Sequence, residues 1–188
     1  METYEIQNML DNDQQFQKLI FRRGYLISTK KLKNGNCFPF YNHWSETKIN
    51  DYFLYLHEDQ KKFILKKSGR AFILIGHAYN PWDDIDDENL ILSNLAEVYE
   101  TRKTNFFNEL SKVTGVFVIF IIENNSFIAV QDSVGIMPLF YSYHNKQIFY
   151  SSHSQLIADI CKYNMDPDIE RIVNSKFYLF GIRHLPNL

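Results

Sequence analysis

A chain of 188 residues, 45% hydrophobic with 16 Phe and 12 Tyr, has ample material for one packed domain, which excludes intrinsic disorder. Its net charge of −2 and the lack of any basic run exclude a surface built to track nucleic acid. The acidic opening METYEIQNMLDNDQQ is no secretory signal and runs such as VFVIFII are too short to span a bilayer, so the expectation is a cytoplasmic chain with no membrane association.

Ile6, Met9, Leu10, Phe16 and Leu19 predict a helix or partly ordered arm over residues 3–19. RRGYLIST reads as a strand after Gly24, and residues 30–49, which mix Asn, Gly, Pro and charge, read as a loop. DYFLYLHED and KFILKKS are strands around a turn at Glu58-Asp59-Gln60. RAFILIGHAYN is a buried strand, stopped by Asn80-Pro81. Residues 86–101 switch to helical period, with Leu90, Ile91, Leu95, Val98 and Tyr99 on one face, and a short helix follows over about 104–112.

Four strands come next: GVFVIFII, SFIAVQD, PLFYSY and QIFYSS. Their turns fall at Glu123-Asn124-Asn125, Ser133-Val134-Gly135 and His144-Asn145-Lys146, and connections this short make consecutive strands antiparallel neighbours. A helix with the stripe Leu156, Ile157, Ile160 and Cys161 follows. The last helix has Asp166 as N-cap, Pro167 at its first position, Ile169, Ile172, Val173, Phe177 and Phe180 as its stripe, and Gly181 as its stop. Strands that are apolar on both faces must be covered on both faces. The fold class is therefore α+β, with two stacked antiparallel sheets and helices outside.

Local clusters point to little chemistry. DDIDDE (residues 83–88) gathers carboxylates that suit a hard cation, but it lacks the spacing of a calcium loop, and acids at a helix N-terminus are favoured by the dipole. His43, Trp44 and Glu46 share a loop without metal-site spacing. Ser151–Ser154 with His153 is no nucleophile elbow and reads as a strand end with a helix N-cap. Two cysteines, Cys37 and Cys161, form no disulfide framework and fit a reducing compartment.

One long stretch carries more. GVFVIFIIENNSFIAVQDSVGIMPLFYSYHNKQIFYSSHSQLI presents in order Gly115-Val116-Phe117, Gln131-Asp132, Gly135-Ile136-Met137-Pro138-Leu139-Phe140-Tyr141 and Phe149-Tyr150-Ser151-Ser152. It resembles the second half of the glutaminase domain of the asparagine synthetase family. Upstream, ILIGHAYN, with Gly76, Tyr79 and Asn80, resembles the family's Asn-Gly-Glu-x-Tyr-Asn loop, and DDENLIL resembles its Asp-x-Glu helix start. The ending KFYLFGIRHLPNL resembles the linker into the family's ATP-dependent synthetase domain. The resemblance covers residues 50–188 and implies the four-layer αββα sandwich of N-terminal-nucleophile hydrolases. With the N-terminal arm, for which the family has no counterpart, the chain is expected to divide into that arm (1–20), a glutaminase-like domain (21–165), and a helix with the start of a linker (166–188) toward a synthetase domain. That domain is the implied partner, in the same longer chain or as a separate protein.

The family's nucleophile is a cysteine at the mature N-terminus, with its own α-amino group as base. Residue 2 is Glu2, so removal of the initiator exposes no thiol, and the span from Cys37 to Gly76 is too short for the strands that should separate nucleophile from loop. Ile75, Gly76 and His77 stand where the family has Asn-Gly-Glu, which removes an amide donor suited to an oxyanion and an acid for the substrate's ammonium. Arg22, Arg23 and Arg70 stand in contexts unlike that of the arginine that grips the substrate carboxylate, while Asp86 matches the second ammonium-binding carboxylate loosely. No Ser-Gly-Gly-x-Asp-Ser loop for pyrophosphate occurs, so ATP is assigned to no residue.

The resemblance thus implies a catalytically inactive, glutaminase-like domain that scaffolds or regulates an adjoining ATP-dependent, amide-forming domain. Gly76, His77, Tyr79, Asn80 and Asp86 would outline a vestigial ligand pocket, and Asp132, Gly135 and Pro138 the turn that holds its wall. No catalytic residue, metal or cofactor is expected. Two alternatives stand beside this reading: a stand-alone module that binds a small amino-acid-like ligand around His77, Tyr79 and Asp86, and an amidohydrolase that uses Cys37 after processing.

Overall fold

Nine strands form two antiparallel sheets in the computed structural model, which describes residues 10, 12–32, 38–123 and 126–175. The five-stranded sheet runs in the order β2 (Trp44–Ile49), β3 (Tyr52–His57), β1 (Tyr25–Ser28), β9 (Gln147–Ser151) and β8 (Phe140–His144). The four-stranded sheet runs β4 (Lys62–Lys67), β5 (Arg70–Tyr79), β6 (Thr114–Ile122) and β7 (Phe127–Gln131). Among the described residues five α-helices accompany them: α1 (Gln14–Leu19), α2 (Glu88–Thr101), α3 (Phe106–Leu110), α4 (Ser154–Cys161) and α5 (Pro167–Val173).

Side-chain alternation assembles the layers. Along β5, Ala71, Ile73 and Ile75 face the other sheet, whereas Phe72 and Leu74 face α2 and α3. On β6 the same division sends Val118, Phe120 and Ile122 one way and Phe117, Ile119 and Ile121 the other. Tyr25, Ile27, Leu54 and Leu56 close the space between the sheets, while Leu26, Tyr55 and Phe149 on the opposite face are covered by Leu156 and Ile157 of α4. A strand covered on both faces carries an unbroken apolar run, which is why β6 reads VFVIFII. Each fully buried Leu, Ile or Phe contributes about 2 kcal/mol. The product is a layered α+β sandwich.

Three sequence expectations need correction. Residues 44–49 are strand, not loop: β2 pairs with β3 from Trp44↔His57 to Ile49↔Tyr52, and Asn50, in the left-handed region, opens the tight turn between them. The charges at Glu46 and Lys48 that suggested a loop are those of an edge strand, where charge discourages further pairing. The turns at 58–60 and 133–135 do not join neighbours. β3 and β4 lie in different sheets, as do β7 and β8, because a short connection can also step across to a stacked sheet about 10 Å away.

The helices differ in detail. Residues 3–9 lie outside the described residues, and α1 begins after Asp13, whose Oδ1 accepts from Gln15 N (2.9 Å) and Phe16 N (3.2 Å). Asp87 caps α2, whose buried face is Ile91, Leu92, Leu95, Ala96 and Tyr99; Leu90 is exposed, so the face is rotated from the expected one. The position before α4 is His153, which makes no side-chain cap bond. Asp166 caps α5 with Pro167 following, while Phe177, Phe180 and Gly181 lie outside the described residues. Among the described residues, no helix is long and apolar enough to cross a membrane.

Candidate functional site

A cavity of about 610 Å³ opens at one end of the sandwich, beside both crossings between the sheets. Its first side is the approach to β1. Phe21 (φ +48°) and Arg23 (φ +57°) are both left-handed, and Gly24 N donates to Phe21 O at 2.8 Å. This tight turn out of α1 presents Arg22 and Arg23 to the cavity. Ser152, buried at the end of β9, clamps the start of β1: its Oγ accepts from Tyr25 N (2.9 Å) and its N–H donates to Tyr25 O (3.1 Å). The same Oγ lies 2.8 Å from Nδ1 of His153, whose ring meets Phe21 edge-on and whose pKa is lowered by burial.

The first crossing supplies Asp59, Gln60 and Lys61. Arg22 Nε donates to Asp59 Oδ2 at 2.6 Å, which holds the Asp59 carboxyl below its usual value. In the amide orientation that satisfies both of its ends, Gln60 donates to Arg23 O (2.8 Å) and accepts from Gly76 N (3.2 Å), so it joins the approach to β1 with β5. The side chains of Arg23 and Lys61 have no hydrogen-bonding or ionic partner among the described residues.

His57, buried at the end of β3, fixes this corner. Its Nε2 donates to Lys18 O (2.9 Å) and its Nδ1 accepts from Asp59 N (3.0 Å), which requires the neutral ring. Burial lowers its pKa from the ordinary 6.5. The unfolded chain therefore takes up this proton first, and the stability the neutral ring contributes is complete above pH 6.5 and is lost as pH falls through the lowered folded value. His153 acts in the same direction. The urea midpoint is expected to fall between pH 7.5 and pH 5, with a smaller fall in the His57→Asn variant; an equal fall in both would remove His57 as the cause.

The opposite wall is Val116 with Met137 and Pro138 of the second crossing. Asp132, 4% exposed, sets the path of that loop: its carboxylate accepts from Val134 N (3.2 Å), Ile136 N (3.0 Å) and Met137 N (2.8 Å). Burial works to raise its pKa, and these backbone donors more than offset that, so the carboxyl titrates below its ordinary value. Gly135 N donates to Asp132 O (2.9 Å), and Pro138 O accepts from the buried Tyr25 hydroxyl (2.7 Å).

Of the five residues expected to outline a pocket, Gly76 and His77 line this cavity. Tyr79, Asn80 and Asp86 are not among its lining residues. Tyr79 Oη donates to Asp84 (2.8 Å), and Asn80 Nδ2 donates to Asp83 (2.9 Å), so both serve the turn that ends β5. His77 Nδ1 lies 3.1 Å from Glu88 Oε1. Pro138 reaches the cavity, whereas Asp132 and Gly135 act behind it. Sequence reasoning set Arg22 and Arg23 aside, and the fold brings both to the cavity; Arg70 lies elsewhere, bound to Glu123 at 2.7 Å. Of the other lining residues, Val116, Met137 and Ser152 lie in the quoted motif, Asp59 and Gln60 in an expected turn and His153 at an expected helix start, none of which pointed to a cavity, and Lys61 carried no local signal.

The arrangement can bind, and among the described lining residues its charge is lopsided: three cationic side chains face one carboxylate, which Arg22 already engages. No cysteine is among the described residues that line the cavity; Cys161 lies against the outer face of the five-stranded sheet, where burial raises its thiol, and Cys37 lies outside the described residues. Among the described residues no group of three His, Cys, Asp or Glu side chains is placed to hold a metal ion. No curated protein matches the chain. Residues 75–159, from the cavity end of β5 through β6–β9 into α4, match the glutamine amidotransferase domain family, and over that stretch the chain is glutaminase-like.

Proposed function

We propose that the chain is a catalytically inactive, glutaminase-like domain, layered as in N-terminal-nucleophile hydrolases, that scaffolds or regulates an adjoining cytoplasmic, ATP-dependent, asparagine synthetase-like domain. The observation that carries this reading is the approach to β1. Glutaminase chemistry of this kind needs a free α-amine and a thiol together at the cavity. Here the backbone runs on through Phe21–Gly24 as a closed turn, with two arginines at the cavity and no cysteine among the described lining residues. With L-glutamine, the purified protein is expected to release no ammonia above the buffer blank. Release that is abolished by Cys37→Ser would overturn the reading in favour of a processed amidohydrolase. In native extracts an antibody to this domain is expected to detect a species far heavier than the 188-residue chain, with the synthetase domain attached.

A second reading, a ligand-binding module with a remodelled pocket, is favoured by a separate observation. The cavity is well formed and lies in the size range of small-molecule sites, with apolar wall residues and polar groups converging on it. A native species of the chain's own size would turn the balance toward it.

A further inference from the structure

Some cations on this protein are matched by acids, while others on the open surface, such as Lys30, Lys66 and Lys146, have no acid paired to them among the described residues. Lys18 meets Glu58 at 2.9 Å, Lys31 meets Glu46 at 2.9 Å, Arg70 meets Glu123 at 2.7 Å and Lys67 pairs with Glu97. What sets two of the unmatched cations apart is the concave space they share. Arg23 and Lys61 come from segments far apart in sequence and face the same space, with no acid paired to either among the described residues. Asp59, the one carboxylate among the described lining residues, is held by Arg22, and Glu88 behind His77 is held by that ring. The left-handed backbone at Phe21 and Arg23 is unfavourable for side-chain-bearing residues, so the presentation of Arg23 is imposed by the surrounding clamps. Two exposed cations without acid partners beside a concave, partly apolar wall leave donors with which an anion would make charge-assisted contacts.

We propose that the cavity binds a small organic dianion without an ammonium group. Arg23 and Lys61 share its two charges, and its carbon body lies against Val116, Met137 and Pro138. This rests on the ligand-binding reading above and narrows it: with no free carboxylate among the described lining residues to meet an ammonium, the site disfavours glutamine and other α-amino acids. A guanidinium presents its donors equally well to a carboxylate and to a phosphate. The shared chemistry is therefore the dianion, and a dicarboxylate and a phosphomonoester are its two sources.

The test is calorimetric titration of the full chain at low salt with glutarate, phenyl phosphate and L-glutamine. Glutarate and glutamine have the same chain length, so they differ only in the groups that matter. Either anion, or both, is expected to bind saturably at one site and at least roughly tenfold more tightly than glutamine, as a charge-assisted contact allows. Arg23→Ala and Lys61→Ala are each expected to weaken that binding about tenfold or more, and added salt to weaken it further. Both side chains are exposed, so an unchanged unfolding midpoint separates lost binding from lost fold. Glutarate alone binding would identify the carboxylate source, and phenyl phosphate alone the phosphate source. Tighter binding of glutamine would overturn the ligand class but leave a binding module. Anion binding indifferent to both substitutions would overturn the residue assignment, and no binding by any of the three would overturn the module itself.

Discussion

Gly76→Ala is expected to destabilise the fold by about 4 kcal/mol, the sum of overpacking and backbone strain. Gly76 has φ +110°, a conformation that side-chain-bearing residues rarely adopt. A Cβ there would stand 2.2 Å from Val116 O, 2.9 Å from Met137 Cε and 3.1 Å from Phe117 Cα. Met137 can swing its methyl aside. Val116 cannot retreat, because β6 is paired with β5 on both sides of this point, Ile75↔Val118 and His77↔Val116. Gly69 supplies the internal control: its φ is +76°, but nothing lies within 4 Å of a Cβ built there. Gly69→Ala is therefore expected to cost about 1 kcal/mol, the strain alone. Urea unfolding of the two variants checks the difference. Equal costs would mean that β6 yields to the methyl group.

The elements that were legible are those whose signal is local and strong. β5 and β6 announce themselves as long apolar runs, and Asp166-Pro167 announces α5, because one face or one cap decides each of them. β2 was missed since an edge strand with Glu46 and Lys48 looks, residue by residue, like a loop. Neighbouring strands were paired too readily because chain length cannot tell a hairpin from a step between stacked sheets; β7 and β8, for example, lie in different sheets, which meet where Phe127 of β7 packs on Tyr150 of β9 and Tyr52 of β3. The cavity shows the same limit. Gly76 and His77 could be found from a motif, but Arg23 and Lys61 belong to segments that only the folded sheets bring together, and no spacing in the sequence encodes their meeting.

Asp132→Ala is expected to cost about 3 kcal/mol, as the loss of a charged acceptor for several backbone donors. The three donors do not lose equally. Val134 and Ile136 are exposed, so water can replace the carboxylate at their N–H groups. The Met137 N–H, which donates at 2.8 Å in a buried setting, cannot be resolvated without opening the wall, so most of the cost falls there. Asp132→Asn keeps one accepting oxygen and can serve Met137 or the Val134 and Ile136 pair, not both; a cost of about half is expected. The charge also sets a pH signature. Because the carboxyl is held below its ordinary value of 3.8, its contribution is present above that pH and is lost as pH falls through the lowered folded value; Asp132→Asn abolishes that dependence. Thermal unfolding at pH 7 and pH 3 checks both points, with the gap between wild type and Asp132→Asn narrowing in acid. A gap that stays constant would mean that the carboxylate acts by shape alone. The same loop carries Met137 and Pro138 to the cavity, so an Asp132 variant that also weakens anion binding, while Arg23 and Lys61 are intact, would tie the wall to the ligand.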